Sequence, residues 1–411
     1  MSDTLYPRDF LASGWNIGIK DDTLDFGVVH SKVPCDAAVV FTRNNFPGNP
    51  VIVGREHIAG GKLQTIMVNS KNANVATGPG GLELCRDSCK WAGEALGIDP
   101  ALVLPSSTGV IGQPMPREKI EAACKGIPDH LSGPDFNAFS EAIMTTDQFP
   151  KRDARTLVSG ARIFGTAKGA GMIEPNMATM LSYFCTDARV PAADLDRMLR
   201  LVVNRTFNRI SVDGDTSTSD TVAILANGVS EVEIAFPDAA ATAFEELGPR
   251  EPEELTELPG ITPATLEFLR SFWEMSRELA KAIVRDGEGA TKVMEVRVTE
   301  ARDREQALKI GRSIVNSPLI KTAVYGADPN WGRIIMAIGK VFDEPIPLTG
   351  LRIFFGDVEL SQETDPKILS GYLQRPEIVI RLSLGTGRAE ERLWGCDLNE
   401  AYVKLNALYT T

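Results

Sequence analysis

Histidine is scarce: the 411 residues hold only His30, His57 and His130. That leaves thin material for a Ser-His-Asp triad or a histidine-rich metal centre, although one histidine suffices for a triad. Any catalytic account must therefore be asked whether it works without histidine. An excess of basic residues is also missing. Lys and Arg number 43 against 55 Asp and Glu, a formal charge of −12. A domain-wide nucleic-acid footprint needs the opposite balance. No apolar run approaches the ~18 residues of a membrane-crossing helix. The opening MSDTLYPRDF lacks the basic and then apolar pattern of a secretory signal. The six cysteines, at 35, 85, 89, 124, 185 and 396, suggest no disulfide framework in so long a chain. Cys85 and Cys89 share a helix-like segment, but no nearby histidine completes a metal set, so buried thiols are expected. The cysteine usage and the missing signal point to the cytoplasm.

What is present is an ordinary globular composition, 43% apolar and 24% charged. The length calls for two or more core regions. Residues 27–77 read as β-rich, with Ala37–Phe41 and Thr65–Val68 as apolar runs followed by Asn, Ser or Gly. Residues 82–97 read as an amphipathic helix closed by Gly97. Val103-Leu104 runs into Ser106-Ser107-Thr108-Gly109 as a strand entering a loop. Residues 157–165 read as a strand leading to the loop Lys168–Gly171. Residues 192–207 carry Leu195, Met198, Leu199, Val202 and Val203 at helical spacing. The acidic, proline-rich stretch 248–263 reads as a surface insertion or linker. A helix then begins with Thr262 as cap and Pro263 in the first turn, and Leu266, Leu269, Phe272, Leu279 and Ile283 form its stripe. From about 293, alternation such as Met294–Val298 predicts sheet with helices between. The expected fold class is mixed α/β (α+β), with layered sheets and helices.

The most informative segment is KGAGMIEPNMATML, residues 168–181. Two glycines after Lys168 let the backbone approach a ligand. Pro175-Asn176 marks a turn. Small Ala178 and hydroxyl-bearing Thr179 precede an apolar strand. A threonine hydroxyl is a weak nucleophile that needs a base. Cutting the chain before Thr179 would supply one: the freed α-amine, with a reference pKa of about 7.7–8.0, lies next to the hydroxyl. Spacing alone leaves a structural turn threonine as the ordinary reading.

KGAGMIEPNMATML resembles the cleavage-site motif of the ornithine (glutamate) N-acetyltransferase family, the arginine-biosynthesis bifunctional acetyltransferases. The likeness extends in family order through STGVIG (107–112), IMTTD (143–147), SVDGDTSTSDT (211–221), DGEGATK (286–292), NSPLIKTA (316–323), DPNWGR (328–333) and YVKLNALYTT (402–411). The resemblance implies a fold like that of the self-processing aminopeptidases. It implies self-cleavage between Ala178 and Thr179 into fragments 1–178 and 179–411, the latter with an α/β region from about 290. It further implies that Thr179 takes acetyl from N2-acetyl-L-ornithine and passes it to L-glutamate, with no cofactor. Thr108 and Gly109 become the oxyanion donors, and Thr145, Thr146, Lys168, Thr179, Glu288, Asn406 and Thr411 the substrate contacts. The chemistry of these residues is compatible: Lys168 pairs with a carboxylate, Glu288 with an ammonium, and hydroxyl or amide groups with either. The family assembles as a heterotetramer of two cleaved protomers. Acetyl-CoA as an additional donor is left open, since no P-loop or dinucleotide fingerprint is present and coenzyme A sites need neither.

The chain departs from the family pattern at Glu174, where a small residue or histidine is common, and at Lys71 and Val75. These variants resemble a branch that includes secondary-metabolism copies, so another acyl acceptor is an alternative. An N-terminal-nucleophile amidohydrolase or aminopeptidase, and a binding protein that kept the fold, are the others. Asp213, Asp215 and Asp220 do not fit a calcium loop, since Thr218 and Ile224 occupy the positions where it needs Gly and Glu; turn hydrogen bonding is expected of them. Asn330–Arg333 reads equally as substrate contact or structural turn. Asn69, Asn72 and Asn74 read as a satisfied polar loop.

Overall fold

The computed structural model describes residues 5–174, 180–248 and 250–408. Eight strands form the first sheet: β1 (Phe10–Trp15), β2 (Phe26–Phe41), β3 (Lys62–Asn69), β4 (Val103–Ser107), β5 (Lys151–Thr156), β6 (Arg162–Lys168), β7 (Leu181–Thr186) and, after the two-residue β8 (Ile210–Ser211) has joined the second sheet, β9 (Thr221–Ala226). Their order is β4-β3-β2-β9-β7-β6-β5, with β1 paired to β2. The strands β7 and β9 thus lie between strands from the first 170 residues. The central strands read as continuous apolar runs because both faces are covered. Ala38, Val40, Phe184, Val222 and Ile224 face one core, and Ala37, Val39, Tyr183, Ala223 and Leu225 face another.

The second sheet runs β12-β11-β13-β10-β14-β8, with β10 (Val293–Ala301), β11 (Arg352–Phe355), β12 (Val358–Glu359), β13 (Glu377–Ser383) and β14 (Ala389–Cys396). Residues alternate over Met294–Val298 of β10: Met294, Val296 and Val298 are buried among the helices Arg304–Val315 and Pro318–Tyr325. The mixed α/β expectation agrees with this architecture.

The helix Pro263–Arg285 packs in one core against strands of both sheets. Thr262 caps it by accepting from the N–H of Thr265 at 3.1 Å. Leu269, Phe272, Leu279 and Ile283 of the expected stripe are buried, while Leu266 is half-buried. Each buried side chain of this size contributes about 1.5–3 kcal/mol. The helix delivers the chain to Asp286–Gly289.

Three local expectations need correction. Within the region read as β-rich, Asn49–His57 is a helix; Gly48 and Pro50 start it, since proline suits a first turn. The strand expected over 157–165 begins at Arg162, because residues 157–161 form the turn that folds β6 back on β5. The stretch around 248–263 is a fastened strap. Pro252, Leu255 and Leu258 are buried, and Glu251 is ion-paired to Arg277 and Arg392. The helix over 82–97 runs from Gly78 to Leu96 and ends at left-handed Gly97 (φ +68°), as expected.

Candidate active site

Sheet register brings three strand ends together. Lys168, at the end of β6, is the partner of Leu181, at the start of β7, and Leu181 is the partner of Thr221 in β9. The loop after β4 and the turn Asp286–Gly289 meet these ends from either side. Between them lies a cleft of about 180 Å³. Thr108, Gly109, Thr145, Thr146, Lys168, Glu288 and Asn406 all line it. Among the expected site residues, Ala178, Thr179 and Thr411 lie outside the described residues. Met180 and Leu181, which follow Thr179 in the chain, line the cleft.

The Lys168 ammonium donates to the hydroxyls of Thr108 and Thr145, both at 2.9 Å. Each hydroxyl thereby has its own proton free to aim elsewhere. Burial lowers the Lys168 pKa, with Lys151 acting in the same direction and Asp147 against it. The N–H of Thr108 is spent on Asn69 O at 3.0 Å. What Thr108 offers the cleft is therefore its hydroxyl. Gly109 has φ +127°, and a Cβ there would lie 2.2 Å from the Lys71 carbonyl, so only glycine fits. Its N–H makes no hydrogen bond to a described residue, which leaves a donor beside the Thr108 hydroxyl.

The three asparagines read as a polar loop form the support beneath. Asn69 donates to Asn72 O, Asn72 to Gln113 O and Pro114 O, and Asn74 to Gly81 O, at 2.8–3.1 Å. On the opposite side, Glu288 lies against Gly171, where a Cβ would come within 2.6 Å of the carboxylate. Its N–H is held by Ala170 O, and its Oε2 accepts from Asn406 at 2.8 Å. One cleft thus carries a cationic and an anionic group, with neutral donors between them.

The charges that hold this arrangement were not singled out by sequence reasoning. Lys151 is wholly buried, 2.7 Å from Asp147 and 2.5 Å from Asp286. Asp147 also accepts from the N–H of Thr145 and of Gly169, and Asp286 accepts from the N–H of Gln148. The three residues thereby tie the threonine loop, the end of β6 and the Glu288 turn into one frame. Burial works to raise the Asp147 carboxyl, but the ammoniums of Lys151 and Lys168 and the bonds it accepts outweigh burial and hold it at about 2.

Asp220 is the other residue whose importance only the fold reveals. It lines the cleft almost fully buried, and its Oδ2 has no hydrogen-bond partner among the described residues. Burial pushes its carboxyl well above the usual range, against a bond from Ser217 and the charge of Lys168. Turn bonding was expected of Asp213, Asp215 and Asp220 alike. Asp213 does accept from three N–H groups, those of Met172, Ile173 and Asp215. Asp220 Oδ2 differs. Asn330–Arg333 does not line the cleft; Arg333 donates to Leu319 O and supports the second sheet's helices.

The ArgJ family model matches residues 11–411. The arginine biosynthesis bifunctional protein ArgJ 2 of Clostridium acetobutylicum is 41% identical over 100% of this chain and 99% of its own length. The glutamate N-acetyltransferase Oat2 of Streptomyces clavuligerus is 40% identical over 98% of both. A crystal structure of ArgJ from Bacillus halodurans matches 56% of this chain and 100% of its own at 36% identity, with a TM-score of 0.48. The chain belongs to the ArgJ family and is an acyltransferase.

Proposed function

We propose that the chain cleaves itself between Ala178 and Thr179, and that Thr179 then carries an acetyl group from N2-acetyl-L-ornithine to L-glutamate. In self-cleavage the Thr179 hydroxyl attacks the Ala178 carbonyl. A C–O ester bond forms, the C–N bond breaks, and the nitrogen takes the proton to become an α-amine. Water then hydrolyses the ester, leaving a carboxylate on Ala178 and a free hydroxyl on Thr179. In transfer, the α-amine takes the hydroxyl proton as oxygen attacks the acetyl carbon. The amide bond breaks, ornithine leaves with that proton on its nitrogen, and acetyl-Thr179 remains. The glutamate amine attacks this ester and the threonine hydroxyl is restored. The Thr108 hydroxyl and the Gly109 N–H are the donors for the oxyanion at each tetrahedral stage.

The observation that carries this reading is the convergence of Lys168 and Glu288 on one cleft beside the start of β7. Both substrates present a carboxylate to a buried cation, and ornithine adds an ammonium for a carboxylate. The position of β7 and β9 between strands of the first 170 residues supports two fragments that stay together. Two such cleaved protomers form the heterotetramer that the family resemblance implies. The ArgJ 2 relative is described as bifunctional, which fits a second activity beside this transfer, with acetyl-CoA as the additional donor that the family resemblance leaves open.

The test is acceptor dependence. N-acetylornithine should yield N-acetylglutamate only when glutamate is added, and Thr179→Ala should abolish both cleavage and transfer. Free acetate released at one rate with or without glutamate would instead mean an amidohydrolase. Transfer to a different amine would mean a secondary-metabolism paralogue.

A further inference from the structure

The described residues that flank 175–179 are fastened on both sides to the same stretch of chain. Upstream, Met172 and Ile173 donate their N–H groups to the Asp213 carboxylate at 2.6 and 2.9 Å. The carbonyl of Ile173 accepts from Val212 at 2.7 Å, and the N–H of Glu174 donates to Asp215 O at 3.0 Å. The Thr216 hydroxyl donates to the Glu174 carbonyl at 3.0 Å. Downstream, the carbonyl of Met180 accepts from the N–H of Thr221 at 3.0 Å. The stretch 211–221 that supplies all these partners links β8 of the second sheet to β9 of the first.

Glu174 adds a side-chain clamp. Its Oε2 accepts from the Asn316 amide, and the Ser211 hydroxyl lies 2.6 Å from Asn316 Oδ1 and 3.4 Å from Glu174 Oε2. Arg312 stands 3.8 Å from its other oxygen. Asn316 caps the C-terminus of the helix Arg304–Val315, so the clamp reaches across to the second sheet's own core. Glu174 does not line the cleft. A group that binds substrate would do so; a group that holds backbone would not.

We infer that the stretch 211–221 is a jig for self-cleavage, with Glu174 as the positioning residue that fixes the upstream end of the cut segment through Asn316. The inference rests on the self-processing reading. Intramolecular attack depends on the reacting groups being held in a near-attack geometry, and loosening one end lowers the fraction of time they spend there. Once the bond is cut, the clamp has no further part in the chemistry, and acetyl transfer proceeds without it.

The experiment follows intact mass over time in freshly purified precursor, with transfer kinetics measured per cleaved chain. Glu174→Ala should slow cleavage by about tenfold, the scale of one lost charge-assisted hydrogen bond. Asn316→Ala, which removes the partner from the far side, should do the same. Glu174→Gln, which keeps an acceptor oxygen of the same reach, should restore most of the rate. In all three, kcat and KM for transfer per cleaved chain should stay within about twofold of wild type. Cleavage of Glu174→Ala and Asn316→Ala at the wild-type rate overturns the clamp alone. A fall in transfer parallel to the fall in cleavage also overturns it, because Glu174 would then be general scaffold. A wild-type chain that stays whole overturns the self-processing reading and the clamp with it.

Discussion

Behind the cleft lining, Lys151 is wholly buried between Asp147 and Asp286, and the two carboxylates accept further bonds from three N–H groups. In the lining itself, Asp220 is buried nearly as deeply, yet its Oδ2 faces no partner among the described residues. Buried charge is costly unless it is paired, and an unpaired polar atom forfeits its hydration without return. The first set therefore reads as frame. The second reads as a group kept available to something that enters the cleft. The difference separates two kinds of buried carboxyl that look alike in the sequence.

The largest expected effect comes from breaking the frame. Lys151→Met leaves two buried carboxylates facing each other and should cost about 3–5 kcal/mol in denaturant unfolding, with transfer activity lost alongside. A loss below about 1 kcal/mol would show that water reaches the triad and that it is not a frame at all. The wild type should show the same interaction at low pH. The folded pKa of Asp147, at about 2, lies below its ordinary 3.8. Its contribution to stability is therefore complete above pH 3.8 and is lost as the pH falls through about 2.

The smaller effect sharpens the other half of the comparison. Asp220→Asn keeps the volume and removes a buried carboxyl whose Oδ2 lacks a partner among the described residues. Stability should stay level or rise by about 1 kcal/mol, while kcat/KM for transfer falls by about tenfold or more. A destabilised variant with unchanged kcat/KM would instead place Asp220 in the frame, and the contrast would collapse.

The sequence made much of this fold readable where a local rule suffices. Gly97 ends a helix because the left-handed conformation favours glycine, and Thr262-Pro263 starts one by capping and first-turn geometry. The helix Asn49–His57 escaped because its apolar Val51, Ile52 and Val53 suit a strand equally well, and only the preceding glycine and proline tip the balance. The site divides in the same way. Spacing placed the glycines after Lys168 in a loop, while Lys168 itself, expected in that loop, ends β6; the grouping of Thr108, Thr145, Glu288 and Asn406 around it came from resemblance. The triad was not legible at all. Lys151 and Asp286 are 135 residues apart, and each looks like an ordinary surface charge until the sheets enclose it. Asp220 was hidden by its neighbours, since Asp213 in the same motif does make turn bonds. Glu174 stood out as a departure from the family pattern, but its partner Asn316 lies 142 residues away.

The central claim is that Thr179 becomes a chain terminus and then carries the acetyl group. Intact-mass spectrometry of the purified protein, before and after exposure to N-acetylornithine, tests it directly. The account predicts two fragments that meet at Ala178–Thr179, with the C-terminal fragment alone gaining the mass of one acetyl group and losing it when glutamate is added. A single uncleaved chain that nevertheless transfers acetyl, or an acetyl group found on the N-terminal fragment, would contradict it.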